Sequence, residues 1–288
     1  MYAAYFGLNE NPFNLSPEPG YLFLSDQHRD ALNCLLYGIV EKKGFILISG
    51  DIGTGKTTIC RAILASLHES VETALIFNTA VSDIELLETI IGEFGIPVVC
   101  KNRTKKVYVD ALNEFLLAGF AHDKNAVLLI DEAQNLSHGA LEQIRMLSNL
   151  ETEREKLLQI VLIGQPELKA TLTLPALRQL NERITVRYDL KPLPAHETIQ
   201  YIEHRLRVAG GPGKIRFTSG AYHLIYYFAE GIPRRINALC DRALLIAYTK
   251  NILKIDRRII RKAMLDIGED FFQQTQSSAK KLWMRLTA

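Results

Sequence analysis

Phe45-Ile46-Leu47-Ile48-Ser49-Gly50-Asp51-Ile52-Gly53-Thr54-Gly55-Lys56-Thr57 is the stretch on which the reading of this chain turns. It opens as a short apolar run bounded by a glycine, the pattern of a buried strand. From Gly50 onward it satisfies G-x-x-x-x-G-K-[ST] at every fixed position. The spacing has a chemical reason. Glycines let a loop close around phosphates with its backbone N–H groups inward, and the helix that opens at Lys56 adds positive potential at its N-terminus. Gly50, Asp51, Ile52, Gly53, Thr54, Gly55, Lys56, Thr57 and Thr58 are therefore the candidate nucleotide ligands. Lys56 is placed to reach the β- and γ-phosphates of ATP, and the Thr57 hydroxyl to ligate Mg²⁺.

A nucleotide site of this kind also needs a carboxylate facing the loop. Ala126-Val127-Leu128-Leu129-Ile130-Asp131-Glu132 supplies it, as an apolar strand ending in two acids. Asp131 is the candidate second Mg²⁺ residue. Glu132 is the candidate catalytic residue that orients the attacking water, since a carboxylate beside the γ-phosphate can polarise it. An Asp-Glu pair points to hydrolysis of ATP to ADP and phosphate, whereas Asp alone would serve binding.

Around these two segments, apolar runs alternate with helical patterns. Strands are predicted at Phe45–Ser49, Thr73–Asn78, Val127–Asp131, Leu158–Gly164 and Ile184–Asp189. Helices are predicted near 56–68, 83–94, 105–121 and 138–150, after a first helix that runs from a Ser25 cap to about Glu41. Continuously apolar strands separated by helices indicate a parallel sheet covered on both faces. Beyond Leu190-Lys191-Pro192-Leu193-Pro194 only helical patterns follow, at about 195–209, 218–229, 233–248 and 256–266. The expected fold class is α/β, a parallel five-stranded sheet with flanking helices followed by a small all-α lid. The expected division is 1–25, an extended segment packing on the core with Phe6 and Phe13 as anchors; 26–192, the nucleotide-binding domain; 193–270, the lid; and 271–288, a basic disordered tail.

Bulk properties are compatible with a soluble two-domain protein. The chain has 288 residues, 48% of them apolar and 23% charged, with 34 basic residues against 32 acidic. A net charge of +2 argues neither for nor against a nucleic-acid partner. Cys34, Cys60, Cys100 and Cys240 form no paired spacing, so buried reduced thiols in a cytoplasmic protein are expected. No signal peptide is visible, and no apolar run approaches the roughly 20 residues of a bilayer span.

The chain resembles the AAA+ ATPases, and within them the secretin-assembly group typified by general secretion pathway protein A. The resemblance covers about residues 1–268. It rests on Tyr5-Phe6-Gly7-Leu8 with Asn11-Pro12-Phe13 and Ser16-Pro17, the phosphate loop, Leu129-Ile130-Asp131-Glu132-Ala133-Gln134, Leu162-Ile163-Gly164-Gln165-Pro166-Glu167-Leu168 and Gly231-Ile232-Pro233-Arg234-Arg235. It implies further catalytic roles: Gln165 as a polar sensor of the γ-phosphate, Arg183 as an arginine finger reaching a neighbour's ATP, with Arg178 competing, and Arg234 as a second sensor and nucleotide ligand, with Arg235 able to substitute. It also implies an adenine pocket near Tyr21–Leu24 and Ile232. The implied partners are further copies of the chain, in a ring or nucleotide-dependent assembly, and an inner-membrane secretion protein. The implied task is assembling or energising a bacterial envelope secretion or pilus-type system from the cytoplasm, at the inner face of the membrane. Relatives acting in secretion continue into a membrane span and a cell-wall-binding domain; Lys280-Lys281-Leu282-Trp283 reads as the flank of such a span or as a tail.

Two other readings compete. One is an ATP-dependent, DNA-associated regulator similar to the AAA+ partners of transposases, suggested by the lid cations Arg234, Arg235, Arg242, Lys250, Lys254, Arg257, Arg258, Arg261 and Lys262. Interspersed acids, including Asp241, Asp256 and Asp266, weigh against it. The other is a nucleotide-binding scaffold that barely hydrolyses.

Overall fold

A computed structural model describes residues 2–14, 19–77, 79–98, 104–153, 155–211 and 214–268. The chain divides into two compact units, Asp26–Leu190 and Met1–Ser25 with Lys191–Ala288. The expected tail, the Ser16-Pro17 pair and Cys100 lie outside the described residues.

The N-terminal segment begins with a short helix, α1 (Tyr2–Phe6). The Asp26–Leu190 unit then contains α2 (Asp26–Val40), β1 (Phe45–Gly50), α3 (Lys56–Ser66), β2 (Val71–Ile76), α4 (Asp83–Glu93), α5 (Lys105–Phe120), β3 (Asn125–Ile130), α6 (His138–Leu147), β4 (Leu158–Gly164), α7 (Pro166–Leu172), α8 (Arg178–Arg183) and β5 (Ile184–Leu190). As expected the five strands form one parallel sheet, and its order is β2-β3-β4-β1-β5. The near-continuous apolar runs have a simple cause: successive side chains enter different cores. Phe45, Leu47, Leu128, Ile130, Ile160 and Leu162 pack on one face. Ile46, Ile48, Val127, Leu129, Val161 and Ile163 pack on the other. Helix starts follow local chemistry. Ser82 and Glu85 make a reciprocal capping box at α4, and the Thr104 and Ser137 hydroxyls cap α5 and α6.

This strand order brings the site together. β4 lies between β1 and β3, so the segments that leave the C-terminal ends of these three strands are neighbours. They carry Gly50–Thr57, Asp131–Glu132 and Gln165. In open parallel sheets such carboxyl ends are where ligands bind.

The second unit adds α9 (Ala195–Val208), β6 (Arg216–Phe217), α10 (Ser219–Ala229), α11 (Pro233–Thr249), β7 (Lys254–Ile255) and α12 (Arg257–Ile267). Two expectations are corrected here. The unit is not all helical, because β6 and β7 pair in a parallel ladder. Two residues per strand are too few to show a period of two in the sequence. Among the described residues the N-terminal segment is not wholly extended. α1 is helical, and Phe6 and Phe13 are buried in one cluster with Tyr201, Ile225, Leu239 and Met264 of the helical unit. The physical reason is Arg205. It is buried, donates to the Pro12 carbonyl and, at 3.3 Å, to that of Asn14, and places its guanidinium 4.6 Å from the Tyr21 ring centroid.

Candidate active site

The phosphate loop leaves the C-terminal end of β1 and becomes α3. At Gly50 a side chain is excluded, since a Cβ would come within 2.7 Å of the Leu190 carbonyl oxygen. Gly53 and Gly55 hold φ of +81° and +103°, values that L side chains rarely adopt. Gly55 caps α3 without a side-chain acceptor, which leaves the first N–H groups of the helix for an anion. Lys56 is buried and folds back over the loop, donating from Nζ to the carbonyls of Gly50 at 2.8 Å and Asp51 at 2.9 Å. Burial holds its ammonium below the ordinary lysine range, while the carboxylates of Glu132, Asp131, Asp51 and Glu167 pull it upward. A bound triphosphate would add to that upward pull.

The loop has a brace that motif reading did not find. His28 of α2 is buried with Nε2 3.1 Å from the Thr54 carbonyl oxygen. Because a carbonyl only accepts, the ring must donate from Nε2. The same nitrogen would lie 2.6 Å from a Cβ on Gly55, so glycine is required there by space as well as by φ. Nothing in the spacing of the chain flags His28, which is a single histidine in an amphipathic helix.

The two acids stand where expected. Asp131 is 1% exposed; its Oδ2 accepts from the Thr57 hydroxyl at 2.8 Å and its Oδ1 from the Glu132 N–H at 2.9 Å. This hydroxyl–carboxylate pair is a hard oxygen donor set suited to magnesium. Glu132 occupies the left-handed region, φ +52° and ψ +36°, a conformation that costs a non-glycine residue on the order of 1 kcal/mol or more. The Thr79 hydroxyl secures it by donating to the Glu132 carbonyl at 2.9 Å. The Glu132 carboxylate accepts from two amides, Gln134 Nε2 at 2.5 Å and Gln165 Nε2 at 3.2 Å. Gln165 is thus brought to the acid pair.

The arginines are placed differently. Arg183 donates to the Ser148 hydroxyl at 2.6 Å, Asn149 Oδ1 at 2.7 Å and the Arg145 carbonyl at 3.2 Å, just past the C-terminus of α6. Arg178 is exposed and pairs with Glu182 across one helical turn at 2.8 Å. In the helical unit, Arg234 is exposed on the first turn of α11, whereas Arg235 is tied to Glu230 at 3.3 Å. Tyr21 is buried, and its hydroxyl donates to Glu10 at 2.8 Å. Among the described residues Cys34, Cys60 and Cys240 are free thiols, the last two buried, and no helix is long and apolar enough to cross a membrane.

With this geometry in hand, comparison with known proteins supplies the relatives. A family profile described as an AAA domain matches residues 40–172. General secretion pathway protein A of Aeromonas hydrophila is 46% identical over 268 residues, 93% of this chain and 49% of that protein. The chain is related to general secretion pathway protein A and carries an AAA domain. It spans about half the length of that relative. Solved structures agree on the fold. Cdc6p from Pyrobaculum aerophilum superimposes with a TM-score of 0.67 at 16% identity, over 86% of this chain and 69% of that one. The Aeropyrum pernix ORC1 protein, solved in complex with DNA, gives 0.64 at 20% identity over 91% and 70%.

Proposed function

We propose that this AAA+ chain binds ATP with Mg²⁺ and hydrolyses it, using the cycle to assemble or energise a bacterial envelope secretion or pilus-type system. One observation carries the catalytic part: the Thr57 hydroxyl and the Asp131 carboxylate meet at 2.8 Å beside the phosphate loop, with Glu132 next in sequence. Backbone amides of Gly50–Thr58 cradle the phosphates, and Lys56 transfers its donors from the loop carbonyls to phosphate oxygens. Thr57 and Asp131 would hold the metal, and when bound it would neutralise charge on the phosphate oxygens. Glu132 orients the attacking water and accepts its proton as the water oxygen bonds to the γ-phosphorus and ADP leaves. Gln165 reads the γ-phosphate from the turn after β4.

The remaining roles concern other subunits and the lid. Arg183 supplies a cation to a neighbour's ATP, a task that suits an always-charged, bidentate guanidinium; Arg178 is the competing residue. Arg234, exposed on the first turn of α11, is the second sensor in this reading, binding ATP and ADP differently. The secretion task and an inner-membrane partner are supported by the likeness to general secretion pathway protein A.

The experiment is a set of single substitutions. Lys56→Ala should abolish nucleotide binding, and Glu132→Gln should leave binding while turnover collapses by about 10²-fold or more. Unaltered affinity in Lys56→Ala overturns the site. Unaltered turnover in Glu132→Gln reduces the protein to a nucleotide-binding scaffold.

A DNA-associated role is favoured by one feature. Arg257, Arg258, Arg261 and Lys262 are all exposed on α12, with no ion pair among the described residues. Retention on DNA that falls with salt would support it, and absence of retention at low salt removes it.

A further inference from the structure

Gln134 performs two tasks with one amide. Its Nε2 donates to Oε2 of Glu132 at 2.5 Å, and its Oε1 accepts the backbone N–H of Gln165 at 3.0 Å. Gln165 returns a second N–H to the same Glu132 oxygen at 3.2 Å. The three groups close a loop between the turn after β3 and the turn after β4. The space for it is kept open by a missing side chain, since a Cβ on Gly164 would lie 2.9 Å from Gln134 Oε1. Both described donors fall on Oε2, which leaves Oε1 of Glu132 to accept a proton-bearing ligand.

We infer that Gln134 is a positioning residue for hydrolysis. It aims the Glu132 carboxylate and links that aim to the sensor turn carrying Gln165. The inference rests on the reading of Glu132 as the residue that orients water. A carboxamide meets the demand, because it donates to the carboxylate from Nε2 and accepts the backbone N–H at Oε1 at once. A glutamate there keeps the acceptor and loses the donor; a leucine loses both. A donor saturating one oxygen fixes the plane of the carboxylate, and a misaimed base loses part of the 10²–10⁴-fold that such groups contribute.

The test compares wild type, Gln134→Leu, Gln134→Glu and Glu132→Gln for steady-state ATP turnover and for affinity for a fluorescent ATP analogue. Gln134→Leu should lose about ten- to a hundredfold in kcat, with affinity within about twofold. Gln134→Glu keeps an acceptor for the Gln165 N–H but sets a carboxylate where Glu132 needs a donor, so it should also lose about tenfold or more in kcat with affinity within about twofold. Equal loss of affinity and kcat in Gln134→Leu, or an unchanged rate, overturns the inference. Should Gln134→Leu fail to fold, Gln134→Glu decides alone, and a wild-type kcat in that variant overturns the inference. An active Glu132→Gln enzyme is a different result, because it removes the base itself.

Discussion

The two units of the chain are held by different kinds of polar contact. In Asp26–Leu190 the site is built from groups close in sequence to strand ends. Lys56 turns back to Gly50 and Asp51, and Glu132 is held by Gln134 two residues on. In the helical unit the polar contacts span most of the chain. Arg205 reaches the carbonyls of Pro12 and Asn14, and Asp241 accepts from the Tyr2 hydroxyl and from Asn11 Nδ2. A local motif can announce the first kind. Only the folded chain reveals the second, because the partners are chosen by packing and not by spacing.

The largest effect should come from breaking the long-range clasp. Arg205→Met keeps the apolar stem and removes every donor, leaving two carbonyls and the Tyr201 hydroxyl without the cation they face. A loss of about 2–4 kcal/mol is expected. Amide exchange would locate it: residues 2–14 and α9 should lose protection while β1 and β3 keep theirs. Equal loss in both units would show that the clasp is not confined to one of them.

The corresponding break in the α/β unit is His28→Leu. It removes the donor to the Thr54 carbonyl at the point where the loop must present its amides. An unsatisfied buried carbonyl costs about 1–3 kcal/mol, here read as loop disorder. ATP affinity should fall about 5- to 30-fold, with the exchange pattern of the helical unit unchanged. His28→Gln, which can still donate, should recover part of the loss. Affinity equal to wild type in His28→Leu would show that the loop needs no brace.

These two residues also mark the limit of what could be read beforehand. The five strands were legible because a sheet buried on both faces demands unbroken apolar runs, and the loop because its chemistry is carried by backbone and glycines. The acid pair was legible by its place at the end of such a run. His28 and Arg205 were not, since each works through a partner set by tertiary packing, and neither was the link from Gln134 to the Gln165 N–H. The β6–β7 ladder was hidden by its length, and α1 by its five residues. The extended reading of 1–25 failed because aromatic and proline residues signal anchoring without naming the surface they anchor to.

A smaller effect separates caps from clasps. Ser82→Ala removes one half of the reciprocal box at α4 and should cost about 1 kcal/mol, the usual value of a lost N-cap. Denaturant melting of the variant measures it. A loss comparable to that of Arg205→Met would mean that local capping weighs as much as long-range pairing.

The smallest effect is the most useful for assigning the trans arginine. Arg178 and Glu182 are 79% and 63% exposed and lie one turn apart, so Arg178→Ala should change stability by under about 0.5 kcal/mol. Arg183→Ala is less clean, because its guanidinium also serves Ser148, Asn149 and the Arg145 carbonyl beyond α6. Loss of turnover in Arg183→Ala therefore mixes a missing finger with a loosened α6. Each variant mixed with Glu132→Gln subunits resolves this, since only a finger acting between subunits lets two inactive proteins restore activity together. Recovery with Arg183→Ala, at unchanged melting of the mixture, assigns the role to Arg183. Recovery confined to the Arg178→Ala mixture transfers the role to Arg178 and leaves Arg183 as the brace of its own subunit.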